Sequence, residues 1–237
     1  MLTIKESDTR GTLDHGWLLA KHSFSFGQYH DPANTHFRTL RVINEDVVAP
    51  GRGFSAHPHE NMEILTYVLS GSLRHTDSLG HAEDLVHGQV QRMTAGSGIE
   101  HAEKNASTTE PVHLLQIWIF PRAKDLPPSH ETQQTAVLTE PNRLHLIASP
   151  DGDGGSIVIQ QDARMLAAVL EAERTIEHAP SLPNAWLQVA RGEIEVNGHR
   201  LAQGDALKAS PSEDGGEILP LTITATEDAE FVLFELA

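Results

Sequence analysis

Hydrophobic residues along this chain fall into short runs rich in Val, Ile and Leu: LRVINEDVV (40–48), EILTYVL (63–69), LLQIWIF (114–120), SIVIQ (156–160) and EFVLFEL (230–236). Between the runs stand clusters of turn residues: APGRG, LSGS, SLGH, TAGSG, DGDGG, VNG, AQGD and EDGG. Many short apolar segments at this spacing predict strands, and so an all-β sandwich or barrel. LPPSHETQQ (126–134) is proline-rich and polar and marks a boundary between two domains, 1–134 and 135–237.

One stretch dissents. QDARMLAAVLEAERTIEH (161–178) is full of strong helix formers. An internal repeat argues the other way. YVLSGSLRHTDSLGHAEDLVHGQVQRMTAG (67–96) and LQVARGEIEVNGHRLAQGDALKAS (187–210) both read strand, Gly, strand, turn, short strand, Gly-Gln or Gly-Asp, strand. The second has the tighter hairpin, at Asn197-Gly198, a type I′ turn pair. If the halves correspond, AAVLEAERTIEH takes the place of LRVINEDVVAPGRGFSAH. The stretch is then strand, because a repeat constrains the whole fold while propensity biases only a segment.

Composition narrows the chemistry. The 237 residues include no cysteine, which excludes disulfides, Fe–S clusters and thiolate-held zinc. The formal charge is −16, from 33 acidic and 17 basic residues, with no basic stripe for direct contact with nucleic acid. MLTIKESDTRG carries charges where a signal peptide would be apolar, and LLQIWIF is far short of a membrane span. The expectation is a soluble, cytoplasmic protein.

In AHPHENMEI (56–64), His57 and His59 stand two apart around a proline. With 15 histidines an H-x-H arises about once by chance, so the motif needs a second half. Residues i and i+2 of a strand share a face, so both rings can enter a sandwich interior. GSGIEHAEKN (96–105) supplies the second half, adding the His101 nitrogen and the Glu103 oxygen. His81 and Glu83 repeat that local pattern, but in a turn, where side chains face water. His75, His87, His113, His130, His145, His178 and His199 stand singly and read as surface or satisfied polar groups.

Gly51, His57, His59, Glu63 and Gly71 resemble the first cupin motif, with a last gap one residue longer than usual. Gly88, Gly96, Gly98, His101 and Asn105 resemble the second, with Thr94 where proline is common. These departures resemble one cupin branch, the pirins, which carry H-P-H, three residues, Glu, and later M-T-A-G-x-G-x-x-H-x-E. Here the matching segments are HPHENME and MTAGSGIEHAE, and HGWLLAKHSFSFGQYHDP (15–32) is also similar to a pirin signature.

The resemblance implies two tandem cupin domains, a bicupin of jelly-roll sandwiches, with one metal ion in the first. Fe(2+) is the usual ion; Zn, Mn, Co, Ni or Cu fit the same donors. The implied ligands are His57, His59, His101 and Glu103, and Glu63 keeps a structural hydrogen-bonding role. Counted through the repeat, His57, His59 and His101 correspond to His178, Pro180 and Glu217. The second cupin is therefore expected to be metal-free.

Three imidazoles and a carboxylate leave one or two positions open on a six-coordinate ion, as a working metal requires. The resemblance implies flavonol cleavage with O2, of the quercetin 2,3-dioxygenase type, with Glu103 as the base. Phe24, Phe26 and Trp118 can wall a flat aromatic substrate. Two other readings use the same ligands. One is a non-enzymatic, iron-dependent regulator of a transcription factor or metabolic enzyme, for which an acidic surface suits a protein partner. The other is a zinc-dependent hydrolase or isomerase.

Overall fold

The computed structural model describes residues 1–211 and 218–237; Glu217, paired above with His101, lies outside them. Regular structure among the described residues is strand, apart from the 3-10 turns Ser7–Thr9 and Asp153–Gly155. No helix is long and apolar enough to cross a membrane. The helix-prone stretch is strand at Ala163–Leu170 and Thr175–His178. Ala163–Leu170 lies between His145–Ser149 and Ala229–Leu236 and pairs with both. Cross-strand packing of its alanines, leucines and valine outweighs their helix propensity.

The chain forms two units, each a seven-stranded sheet and a four-stranded sheet, consistent with tandem cupin β-sandwiches. One unit holds Arg10–Gln134 and Ile159–Gln161. Its large sheet runs Ser129–Gln134, Gln89–Thr94, Glu63–Ser70, Val112–Ile119, Leu40–Val48, Leu18–His22, Gly11–Asp14; its small sheet runs Gly53–His59, Ile99–Asn105, Ser72–Asp77, Ala82–Val86. Leu18, Val48, Val68 and Leu114 of the large sheet pack with Leu73 and Leu85 of the small one. The other unit repeats the plan, with a core joining Leu166, Leu187 and Phe231 to Ile194, Leu201 and Ile223. The repeat is visible at single residues. Gly71 and Gly192 both take positive φ, 79° and 69°, where an added Cβ would lie 2.6 Å and 2.1 Å from a backbone carbonyl oxygen.

Met1–Thr9 departs from the expected 1–134 grouping and belongs with the C-terminal unit. Leu2–Lys5 is four residues long and gains its backbone partners from Ala206–Ala209, in register Leu2↔Ala209 to Lys5↔Ala206. The Ser7 amide then donates to Asp205 Oδ1 at 2.7 Å.

In the N-terminal unit, Arg10 donates to Glu45 Oε2 at 2.7 Å, and His113 Nε2 lies 3.0 Å from Glu45 Oε1. Burial pushes the Glu45 carboxyl up, but the bonds from His113 and Arg10 outweigh it and hold the pKa down at about 2. A depressed folded-state pKa stabilises above the unfolded value, and that contribution is lost as pH falls through the folded one. Glu45→Gln is expected to cost roughly 3 kcal/mol at pH 7. In urea unfolding the gap from the unmutated protein should shrink as pH falls from 4.5 toward 2; a gap unchanged down to pH about 2 contradicts this assignment.

Candidate metal centre

Two antiparallel strands build the site. Ile99–Asn105 alternates strictly, turning Ile99, His101, Glu103 and Asn105 inward. Its neighbour Gly53–His59 pairs with it in register Ile99↔His59 and His101↔His57, then shifts so that Glu103 faces Phe54. The shift is a bulge with one extra residue on Gly53–His59, and it leaves Phe54, His57 and His59 half-buried while Ser55, Ala56 and Pro58 are exposed. Directly opposed residues project to one face, so His57, His59 and His101 converge. One nitrogen from each lies within 4.8 Å of the others, and the ring centroids are 4.5 to 4.8 Å apart.

These rings suit a metal. His101 is buried, and neither of its ring nitrogens has a hydrogen-bond partner. An unsatisfied buried polar atom costs about 1–3 kcal/mol, which coordination would remove. Burial, then the neighbouring His57, holds the His59 pKa down at about 4. Burial, then His57, His59 and His75, takes His101 to about 2. Both rings are therefore neutral and their lone pairs free at pH 7. Glu103, the fourth expected ligand, falls outside that three-histidine group and lies within 4.8 Å of His101 and His75. Gln116 Nε2 donates to its two oxygens at 3.0 and 2.8 Å, and Thr66 Oγ1 to one at 3.4 Å. Burial pushes the Glu103 carboxyl up despite these bonds.

The three histidines and Glu103 line a cavity of about 450 Å³ with Trp17, Phe26, Phe54, Ile64 and Trp118. Asn44, Asp46, Ser55 and Gln116 add polar groups to the aromatic and aliphatic wall. Burial, then Glu103, raises the Asp46 pKa to about 7. Phe26 packs edge-on against Trp118 at 5.2 Å, and Trp118 against His59 at 4.9 Å. Phe24, expected in this wall, is buried at 2 % exposure and does not line the cavity. It follows His22 and Ser23 into the core at the end of Leu18–His22, whereas Phe26 lies beyond, at the isolated bridge to Tyr29.

The comparisons with known proteins agree with this architecture. The family model for pirin matches residues 3–119, and that for the quercetinase C-terminal cupin domain matches 146–236. The chain is 38% identical to a quercetin 2,3-dioxygenase of Escherichia coli K12, across 100% of this chain and 99% of that one. The chain belongs to the pirin family. A pirin-like protein of Caulobacter vibrioides is 42% identical over the full length of both chains. The crystal structure of a bacterial pirin from Escherichia coli in complex with nickel(II) superposes with a TM-score of 0.91 at 38% identity, covering 100% of this chain and 99% of that one. Membership in this family, with the converging histidines, supports metal use and an oxygenase-type reaction at this cavity.

Other residues complete the picture for a pirin. Glu63 accepts from Thr94 Oγ1 at 3.0 Å and from the Gln160 amide at 3.1 Å, a structural hydrogen-bonding role outside the metal-ligating groups found. Gln116, Asn44 and Asp46 were not singled out in the sequence. Their signal was available, since Gln116 and Trp118 alternate with apolar residues in one core strand. His178, the counterpart of His57 in the repeat, lies 2.7 Å from Glu235 Oε1.

Because Gln116 holds both oxygens of Glu103, Gln116→Ala is expected to weaken metal binding by about 10- to 100-fold. Equilibrium dialysis against Ni(II) measures this, and circular dichroism checks the fold. Unchanged affinity would separate Glu103 from the metal.

Proposed function

We propose that the protein is a metal-dependent dioxygenase that cleaves a flavonol such as quercetin with O2, using Fe(2+) in the cytoplasm. The observation that carries this reading is the convergence of His57, His59 and His101 on an aromatic-walled cavity of about 450 Å³. That volume falls in the range of small-molecule sites. When bound, the ion supplies Lewis acidity toward a substrate oxygen and electron exchange with O2.

The protein does the rest. His57, His59 and His101 would hold the ion from paired strands, and Glu103 would add a carboxylate oxygen. Gln116 fixes the orientation of Glu103. The hydroxyl proton of the substrate passes to a Glu103 oxygen, for which a raised pKa is suited. Phe26, Phe54 and Trp118 stack against a flat ring system and exclude water from its edges.

The test is flavonol loss and O2 uptake by Fe(II)-loaded protein, with His101→Ala and Glu103→Gln alongside. Turnover should disappear in His101→Ala. Glu103→Gln should lower kcat by about 10²–10⁴-fold, the usual contribution of a positioned base. No turnover by unmutated protein with iron bound would overturn the flavonol reading and favour a regulatory protein that binds a partner.

A further inference from the structure

A second group of ligating side chains lies one strand further into the same unit. Ile99–Asn105 pairs on its other side with Ser72–Asp77, placing Asp77 opposite His101 and His75 opposite Glu103. His75 and Asp77 thus stand at i and i+2, the relation that joins His57 to His59. His130 comes from the edge strand Ser129–Gln134 of the other sheet. One ligand atom from each of His75, Asp77 and His130 lies within 4.8 Å of the others.

We propose that His75, Asp77 and His130 form a second metal site for a borderline divalent cation such as Zn(II), adjacent to the His57–His59–His101 grouping and sharing none of its three histidines, with His75 also within 4.8 Å of His101 and Glu103. Two nitrogens and one carboxylate oxygen are the donors such an ion takes. Donors sharing an ion at about 2.1 Å lie at most about 4.2 Å apart, so closure needs shifts below about 1 Å.

Two further observations point to a ligand. The His75, Asp77 and His130 side chains are 0, 0 and 4 % exposed. His75 Nδ1 and His130 Nε2 are buried without hydrogen-bond partners. His130 Nε2 lies within ion-pair distance of Glu83 Oε1, 2.9 Å, without forming a hydrogen bond to it.

The surroundings hold the donors as an outer shell does. Asp77 Oδ1 accepts the amides of Leu79 and His81 at 2.9 and 3.1 Å, which fixes the carboxylate in the turn. Burial pushes the Asp77 carboxyl up, but the bonds from His81 and His75 hold it low, so it stays anionic. Glu83, held by Gln91 and Thr132, backs His130. The His75 ring stacks on His130 at 4.9 Å, and His130 on the half-exposed His81 at 4.5 Å, which opens the cluster toward solvent.

Zn(II) binding to the full chain, counted by equilibrium dialysis and elemental analysis, tests the site without reference to turnover. The unmutated protein should hold two ions, and His130→Ala and Asp77→Asn one each. His57→Ala should also hold one, and His57→Ala/His130→Ala none. His145→Ala, at a half-buried histidine outside both clusters, should keep two. A single ion in the unmutated protein overturns the proposal. Two ions retained in both His130→Ala and Asp77→Asn overturn it, as does loss of an ion in His145→Ala.

Discussion

The pairing of Gly53–His59 with Ile99–Asn105 is the constraint on which the site depends. Opposed residues of an antiparallel pair lie about 4.5–5.5 Å apart at Cα, close enough for two rings to reach one ion. The bulge between His101 and Glu103 keeps Phe54, His57 and His59 on one face, where strict alternation from His57 would have turned Phe54 to the other. Gly53 makes the close approach feasible, since a Cβ there would sit 2.2 Å from the Glu103 carbonyl oxygen. A site mounted on strands in this way is held more rigidly than one on loops.

The second sheet turns that row of donors into a reaction chamber. Val112–Ile119 contributes Gln116 and Trp118, and Leu40–Val48 contributes Asn44 and Asp46. Each is a polar or amphipathic residue turned toward the cavity from a core strand, a cost to stability that a functional wall explains. His101 shows the cost most plainly, with both ring nitrogens buried and unpartnered. Such a ring is destabilising in the free protein and preorganised for an ion, so metal binding and folding are coupled.

Much of this was legible in the sequence. The glycine-punctuated repeat outweighed helix propensity over 161–178 because pairing partners on both sides decide a strand's fate, and the repeat reported those partners. H-P-H and H-x-E were legible because period-2 spacing translates directly into a shared face. Tertiary neighbours were not. His75 and His130 read as lone histidines because they are 55 residues apart in sequence and meet only through different sheets, and His81 read as a turn residue facing water. Only the H-x-D spacing of His75 and Asp77 hinted at the cluster. Phe24 and Phe26 looked equivalent because the chain's irregular turn after Ser23, which separates core from cavity, leaves no periodic trace. Met1–Thr9 joined the distant unit through backbone pairing, which no side-chain pattern encodes.

The most direct test of the metal centre is anomalous diffraction from crystals grown with one equivalent of Ni(II). A peak about 2.1 Å from one nitrogen each of His57, His59 and His101 is the predicted result. An ordered nickel elsewhere in the chain, with those three rings unligated, would contradict the account.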